Sequence, residues 1–248
     1  MPYLSLIILL VDSRVLDLDR IYLSEIRKRW PKKNILPIYT KSDLSLGVKH
    51  KNSFNLLQPS SRRKLIKLIR EEIEKSDLDD KERTNSAIVM GGANSGKSSF
   101  INLLVGRKKA KKSPEPGTTR ALSRHKIPST NLIIYDSPGI FPPNLGRNSK
   151  TLFQLLNFLP STPDSRENYS EWAFEYLKEN YPEKIVLLSS NENQESLESY
   201  DSFIRSLAEK YKLLEKKGEL SLFRAEQKFV ELIRKGAIGR ITWKIYNS

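Results

Sequence analysis

The chain has 248 residues, no cysteine, two histidines and a formal net charge of +14. The lack of cysteine excludes disulfides, thiolate zinc sites, iron–sulfur clusters and a cysteine nucleophile, and two histidines exclude a His-rich metal site. The length suits one large domain, or a medium domain with a small one, and 38% hydrophobic residues suffice for a packed core. The excess of Lys and Arg indicates either a polyanionic partner, most often nucleic acid, or a basic surface that discourages self-association.

The longest apolar run, Leu4–Val11, is about half of the ~20 residues that cross a bilayer. No basic residue precedes it and no small-residue cleavage site follows it, so it predicts a buried strand rather than a signal peptide. The sequence shows no Arg-rich, acid-poor leader. We therefore expect a cytoplasmic monomer without a membrane partner, and the mitochondrial matrix is the alternative location.

Short apolar strands alternate with amphipathic helices along the first part of the chain. The predicted strands are Leu4–Val11, Asn34–Thr40, Phe54–Leu57, Ala87–Met90 and Leu132–Tyr135. The predicted helices are Leu16–Trp30, Ser61–Ile73 and Ser98–Val105, and Lys75–Asn85 is a polar linker. This alternation predicts βα units on a mostly parallel sheet, an α/β fold.

The pattern changes after about residue 160, at the turn-rich stretch Ser161–Asp164. Helical periodicity then covers Glu171–Tyr181, Ser199–Leu214 and Leu220–Arg234. The sequence therefore predicts two domains, an α/β domain over residues 1–160 and a small helical domain over residues 161–248.

A glycine-rich turn between a predicted strand and a predicted helix carries the strongest motif. Gly91–Ser98 reads G-G-A-N-S-G-K-S and matches the phosphate-binding pattern G-x-x-x-x-G-K-[ST]. Backbone N–H groups there are expected to bind phosphate, Lys97 to reach the outer phosphates, and the Ser98 hydroxyl to ligate Mg²⁺. The residues expected to bind the nucleotide phosphates are Gly92, Asn94, Ser95, Gly96, Lys97, Ser98 and Ser99.

Two later motifs have the spacing of a nucleoside-triphosphate site. The sequence D-S-P-G ends a predicted strand, which would place Asp136 near Mg²⁺ and the amide of Gly139 towards a γ-phosphate. The preceding P-G-T-T is a candidate switch loop, and we favour Thr119 over Thr118 as its ligand for Mg²⁺ and the γ-phosphate. The alternative for P-G-T-T is a flexible basic loop.

A guanine-reading motif lies before the phosphate-binding loop. Residues 40–43 read T-K-S-D at a strand end, where the stem of Lys41 would pack on the base and the carboxylate of Asp43 would accept its N1 and N2 protons. An ordinary GTPase carries [NT]-K-x-D after its D-x-x-G motif, and none occurs after Gly139 here. This order is typical of a circularly permuted GTPase.

Basic residues are concentrated in two stretches. One is the block Arg107–Lys112, and the other is Arg62–Lys64 with Lys67 and Arg70. Binding of nucleic acid by such clusters would be steeply salt-dependent. No base-reading module is visible, so the sequence does not support direct readout of a base sequence.

The order T-K-S-D, G-x-x-N-x-G-K-S, P-G-T-T and D-x-P-G resembles that of the circularly permuted ribosome-biogenesis GTPases. The resemblance is strongest to the ribosome-biogenesis GTPase A family, bacterial and mitochondrial, and V-D-S-R at 11–14, Y-P-E at 181–183 and K-G-A-I-G-R at 235–240 extend it. It implies a factor switched by GTP and GDP that binds the large ribosomal subunit and its rRNA. It also implies that the G domain is followed by a helical RNA-contacting domain.

The resemblance assigns catalytic roles to Lys97, Thr119 and Asn94, with Asn94 helping to bind a stimulating K⁺; the alternative for Asn94 is a loop-stabilising residue. The family's W-[FY]-P-G-H-M segment, whose histidine assists hydrolysis, has no counterpart in this sequence. Ile140 stands where Ras-like enzymes carry a water-orienting Gln. We therefore expect slow, ribosome-stimulated turnover. The alternatives are a GTP-binding module without turnover and, less favoured, an ATP-using P-loop kinase.

Overall fold

The computed structural model describes residues 4–47, 50–76, 84–106, 122–139, 146–160, 165–190, 198–216 and 218–245. The chain divides into two compact units, residues 1–145 with 242–246, and residues 146–241 with 247–248. This division differs from the predicted boundary after residue 160, because the helix Arg147–Leu155 packs against the next helix in the second unit.

A six-stranded sheet forms the centre of the first unit. The strands are β1 (Leu4–Asp12), β2 (Ile35–Thr40), β3 (Ser53–Phe54), β4 (Thr84–Gly91), β5 (Ser123–Lys126) and β6 (Ile133–Asp136). Their order across the sheet is β3-β2-β1-β4-β6-β5, and only the pairing of β5 with β6 is antiparallel. The predicted mostly parallel α/β fold is confirmed.

Strand β1 is the centre of the core. Every residue from Ser5 to Asp12 is buried, because β1 pairs with β2 on one side and β4 on the other and both of its faces are covered. The helices of this unit are α1 (Leu18–Arg29), α2 (Ser61–Ser76) and α3 (Lys97–Val105). Leu6, Ile8 and Leu10 pack in one cluster with apolar residues of α2 and α3. Burial on both faces explains a continuous apolar run instead of an alternating one.

Two strands differ from the sequence predictions. Strand β5 was not predicted, because S-R-H-K contains no apolar residue; its side chains alternate between half-buried and exposed at the sheet edge. Charged side chains on an edge strand discourage pairing with other chains. Strand β3 comprises only Ser53–Phe54, so the predicted strand Phe54–Leu57 is mostly loop.

The C-terminal residues return to the first unit. The amide of Trp243 donates to the carbonyl of Arg14 at 2.7 Å, and the amide of Leu16 donates to the carbonyl of Trp243 at 2.9 Å. The hydroxyl of Thr242 accepts from the amide of Leu46 at 3.0 Å and donates to its carbonyl at 2.6 Å. The Trp243 side chain is only 1% exposed. The first unit is therefore completed by residues that follow the helices of the second unit in the chain.

The second unit is helical. Its helices are α4 (Arg147–Leu155), α5 (Ser165–Asn180), α6 (Pro182–Leu188), α7 (Tyr200–Lys210) and α8 (Leu222–Lys235). Phe203 stacks on Phe174 with ring centroids 5.0 Å apart and meets Phe229 edge-on at 4.9 Å, which joins α5, α7 and α8. Arg234 donates to the carbonyls that end α4. Across the described residues, no helix is both long and apolar enough to cross a bilayer.

Replacement of Trp243 by alanine tests whether the C-terminal residues stabilise the first unit. Because the indole is fully buried, we expect Trp243→Ala to lower the free energy of unfolding by about 3–5 kcal/mol. Hydrogen exchange of the β1 amides measures this for the first unit alone. Leu57→Ala, at a side chain that is 75% exposed, is the control and should change the value by less than about 0.5 kcal/mol. Equal effects of the two variants would contradict the prediction.

Candidate functional site

The predicted motifs follow the carboxyl ends of parallel strands. T-K-S-D follows β2, the glycine-rich loop follows β4, and Asp136 ends β6. Strand β1, between β2 and β4, ends in Asp12. In a parallel sheet these ends lie at one edge, which is where open α/β sheets bind ligands.

The glycine-rich loop has a conformation that only small residues allow. Gly96 has φ +98°, and a Cβ there would lie 3.2 Å from a methyl group of Leu56. A Cβ on Gly92 would lie 2.2 Å from the hydroxyl oxygen of Tyr22, a buried residue of α1. Asn94 has φ +55°, a region that asparagine tolerates better than most residues. Helix α3 begins directly after this loop at Lys97, with Ser98 and Ser99 half-buried in its first turn.

The ammonium of Lys97 is buried inside the loop. Nζ donates to the carbonyls of Gly91 at 3.0 Å and Gly92 at 2.7 Å, and the residue is 9% exposed. Burial lowers the pKa of Lys97 to about 8, although the carboxylate of Asp136 opposes this shift. A buried cation whose hydrogen bonds, among the described residues, go to neutral carbonyls favours an incoming anion. The first turn of α3 offers backbone N–H groups at the same place.

Asp136 lies beside this lysine with a free oxygen. The residue is 4% exposed, and its Oδ1 is buried without a hydrogen-bond partner among the described residues. Burial raises the pKa of Asp136, against the positive charges of Lys97 and His125. A Cβ on Gly139 would lie 3.5 Å from the amide nitrogen of Ala93 and 3.6 Å from Nζ of Lys97. The D-S-P-G segment therefore lies against the glycine-rich loop.

The chemistry of these donors fits Mg²⁺. The unpartnered carboxylate oxygen of Asp136 and the hydroxyl of Ser98 are hard oxygen donors, and Mg²⁺ is usually bound by one or two such groups together with substrate phosphates and water. Within the described ranges there is no cluster of three or more His, Cys, Asp or Glu residues that would form a metal cage without phosphate.

Thr40 connects the T-K-S-D motif to the glycine-rich loop. Its buried hydroxyl lies 2.8 Å from the carbonyl oxygen of Ser95 and 3.2 Å from that of Val11. The hydroxyl of Ser95 itself is buried without a partner in the described part of the chain. Threonine in place of the more common asparagine thus still bonds the loop. Asp43 is exposed at the edge, and the amide of Leu44 closes a turn onto the carbonyl of Lys41 at 2.9 Å.

The loop after β3 also reaches the glycine-rich loop. Strand β3 ends at Phe54, so this loop starts at Asn55. Leu56 is the residue that reaches Gly96. The predicted strand Phe54–Leu57 assigned Leu56 to the sheet instead of to this loop.

An ion cluster around Asp12 was not predicted from the residues. Asp12 is fully buried and pairs with Arg14, Nη2 to Oδ2 at 2.9 Å, and with Lys41, Nζ to Oδ2 at 2.6 Å. Burial alone would raise the pKa of Asp12, but the two cations lower it below its usual range. Burial and Arg14 lower the pKa of Lys41 to about 8, against Asp12.

Three predicted features lie outside the described residues. These are Thr119 with its P-G-T-T loop, the basic block Arg107–Lys112, and Ile140. The other predicted site residues belong to the first unit and follow the ends of β2, β4 and β6.

Comparison with known proteins agrees with this geometry. The sequence profile of the family described as "50S ribosome-binding GTPase" matches residues 86–217, more than half of the chain. A protein named "Probable ribosome biogenesis GTPase A" from Mycoplasma pneumoniae is 26% identical over 158 residues, 63% of this chain and 55% of that protein. "GTPase Era" from Ehrlichia canis is 47% identical over 66 residues, 26% of this chain and 22% of that protein. The chain thus spans about half the length, or less, of the curated relatives it matches.

A solved structure has the same fold over almost the whole chain. GNP-bound YlqF from T. maritima aligns with a TM-score of 0.56 and 18% identity, covering 98% of this chain and 93% of that one. With the relatives above, this match confirms the resemblance to circularly permuted ribosome-biogenesis GTPases.

The lowered pKa of Lys97 predicts how stability depends on pH. Between pH 8 and the ordinary lysine pKa of 10.5, the unfolded chain binds more protons at Lys97 than the folded protein does. The contribution of Lys97 to the free energy of unfolding therefore increases with pH in this range. Relative to Lys97→Met, wild-type stability should therefore rise by up to about 3 kcal/mol between about pH 7 and pH 10. Urea unfolding without nucleotide at each pH measures this difference.

Lys75→Met is the matched control, at an exposed lysine whose hydrogen bond with Glu72 raises its pKa. It should show no such rise across the same pH range. A wild-type advantage over Lys97→Met that stays constant with pH would contradict the lowered pKa.

Proposed function

The chain belongs to the 50S ribosome-binding GTPase family, and we propose that it binds and hydrolyses GTP as an assembly factor of the large ribosomal subunit. The observation that carries this proposal is the convergence of the permuted motifs at one sheet edge. The guanine motif precedes the phosphate loop in the chain, yet β1 alone separates their strands, and Thr40 bonds the loop directly. The names of the curated relatives support the role in assembly.

The phosphates are bound by the loop and by Lys97. In the proposed complex the N–H groups of residues 92–99 donate to phosphate oxygens, and the ammonium of Lys97 leaves the carbonyls of Gly91 and Gly92 for the outer phosphates. The exchange replaces neutral acceptors with anionic ones, which form stronger bonds to a buried cation. The Gly139 amide, next to Lys97, donates to the γ-phosphate in this proposal.

The same site is proposed to bind Mg²⁺ and to respond to the γ-phosphate. Ser98 and Thr119 ligate Mg²⁺ and Asp136 supports it through water in our proposal. Bound Mg²⁺ supplies neutralisation of the charge on the phosphate oxygens. Closure of Thr119 over the γ-phosphate is the proposed switch between the GTP and GDP forms.

In this proposal the T-K-S-D motif and the loop after β3 bind the guanine base. The stem of Lys41 packs on the guanine plane, and Asp43 accepts the N1 and N2 protons with its exposed carboxylate. Leu56, which lies against Gly96, borders this pocket from the loop after β3.

The ribosomal partner follows from the family and from the charge. A net charge of +14 suits an RNA surface, and we assign rRNA contacts to Arg107–Lys112 and to the helical second unit. Because the curated relatives are bacterial proteins, we infer a cytoplasmic site of action. GTP favours docking on the subunit in this proposal, and hydrolysis releases the factor.

Substitution of Asp43 tests guanine recognition. Asn cannot accept two protons from guanine, but its amide N–H can donate to the C2 oxygen of xanthine. Asp43→Asn should lose about 100-fold or more in GTP affinity and gain affinity for XTP. Competition against a fluorescent guanine nucleotide measures both. An unchanged nucleotide preference would contradict guanine reading and favour an ATP-using enzyme.

Turnover should depend on the ribosome and on the monovalent cation. We expect a low basal rate of GTP hydrolysis that rises many-fold with purified large subunits, and a higher rate in KCl than in NaCl if Asn94 helps to bind K⁺. Phosphate release in the two salts, with and without large subunits, measures this. Small subunits serve as the control for the partner.

The outcomes separate the two candidate functions. GTP binding without turnover under every condition would favour the GTP-binding module and direct attention to Ile140. Equal rates in KCl and NaCl would remove the K⁺ role of Asn94, which rests on the identity of that residue alone.

A further inference from the structure

Asp12 holds two cations at the end of the central strand. Its carboxylate receives a forked pair of bonds from Arg14, Nε to Oδ1 at 3.0 Å and Nη2 to Oδ2 at 2.9 Å. The same Oδ2 accepts from Nζ of Lys41 at 2.6 Å. Asp12 is fully buried and Arg14 is 3% exposed. The geometry of one carboxylate therefore fixes both cations.

Arg14 alone would already neutralise this carboxylate. A fork-shaped arginine pair is the preferred way to satisfy a buried carboxylate. A second cation adds a desolvation cost that neutralising Asp12 does not require, since the fork from Arg14 already balances the charge of this carboxylate. The contact with Lys41 is therefore better explained by what it does to Lys41 than by the stability of Asp12.

The contact determines where the stem of Lys41 lies. Asp12 pairs with Thr40 across the parallel strands β1 and β2, so Lys41 begins one residue beyond the end of β2. To reach Asp12 its stem must cross from β2 towards β1, a distance of about one strand spacing, ~4.8 Å. Strand β1 lies between β2 and β4, so the stem points towards the phosphate loop. Lys41 also has φ +55°, which turns the backbone out of the strand direction.

We propose that Asp12 is a positioning residue for guanine binding, because it fixes the stem of Lys41 in the orientation on which the base packs. This inference rests on the proposed function. An unrestrained lysine samples many rotamers, and ordering it during binding would weaken the affinity. Asp12 orders the stem when the protein folds, before any nucleotide arrives.

A double-mutant cycle tests this role with mant-GDP as the probe. Asp12→Asn should weaken mant-GDP binding by about 10-fold or more, the effect of losing a hydrogen bond to a charged group. In a Lys41→Met background the same change should weaken binding no further, because Asp12 acts through the ammonium of Lys41. Asp12→Glu, which keeps the carboxylate, should restore part of the affinity.

Asp17→Asn is the matched control. It makes the same chemical change at a half-exposed aspartate that pairs with Arg20, and Asn tolerates the positive φ of this position. Mant-GDP binding by Asp17→Asn should equal that of the wild type.

The outcomes distinguish the inference from the function on which it rests. Equal losses from Asp12→Asn in the two backgrounds would assign Asp12 a merely structural role and overturn the inference. A wild-type protein that binds no mant-GDP would overturn the proposed function itself. If Asp12→Asn does not fold because Arg14 loses this carboxylate, the whole cycle is measured in an Arg14→Met background, where the same two patterns decide.

Discussion

The ammonium of Lys97, buried against the carbonyls of Gly91 and Gly92, joins the end of β4 to the start of α3 in the candidate site. Two further elements contact this region. Tyr22 of α1 lies against Gly92, and Gly139 lies next to Nζ of Lys97. Burial of this charge destabilises the folded protein, because the ammonium has left water and, in the part of the chain that the structure describes, is hydrogen-bonded to neutral carbonyls. Stability and ligand affinity therefore oppose each other at this residue. In the proposed complex a phosphate would give this ammonium an anionic partner, so nucleotide binding would stabilise the folded protein at this residue.

The motifs could be recognised from the sequence because their chemistry is local. A glycine-rich loop needs a strand before it and a helix after it, and those flanks have clear apolar patterns around residues 91–98. The polar strand β5 has no such pattern, and the bounds predicted for β3 were wrong, since an edge strand and a short strand take their structure from their neighbours. Helix α4 belongs to the second unit because it packs against α5, a contact that the sequence pattern does not specify.

The contacts between motifs could not be predicted, because they join residues far apart in the chain. The approach of Lys41 to Asp12 and the bond from Thr40 to Ser95 depend on strand order, which periodicity does not specify. Permutation does not change this geometry: it moves the chain ends but leaves the motif-bearing strands β2 and β4 flanking β1. The geometry of such a site thus depends on which strands are neighbours in the sheet, and it does not depend on the order of those strands along the chain.

Synthesis order nevertheless has a consequence for this chain. Arg14, Leu16 and Leu46 find their partners in Thr242 and Trp243, and these residues leave the ribosome only after the entire helical unit. Domains generally fold as units during synthesis, beginning with the N-terminal one, but here the nascent N-terminal unit has an open flank until translation has passed the second unit. The backbone of Arg14 bonds Trp243 while its side chain bonds Asp12, the partner of Lys41, so the surroundings of this ion cluster are complete only after Trp243 has been synthesised.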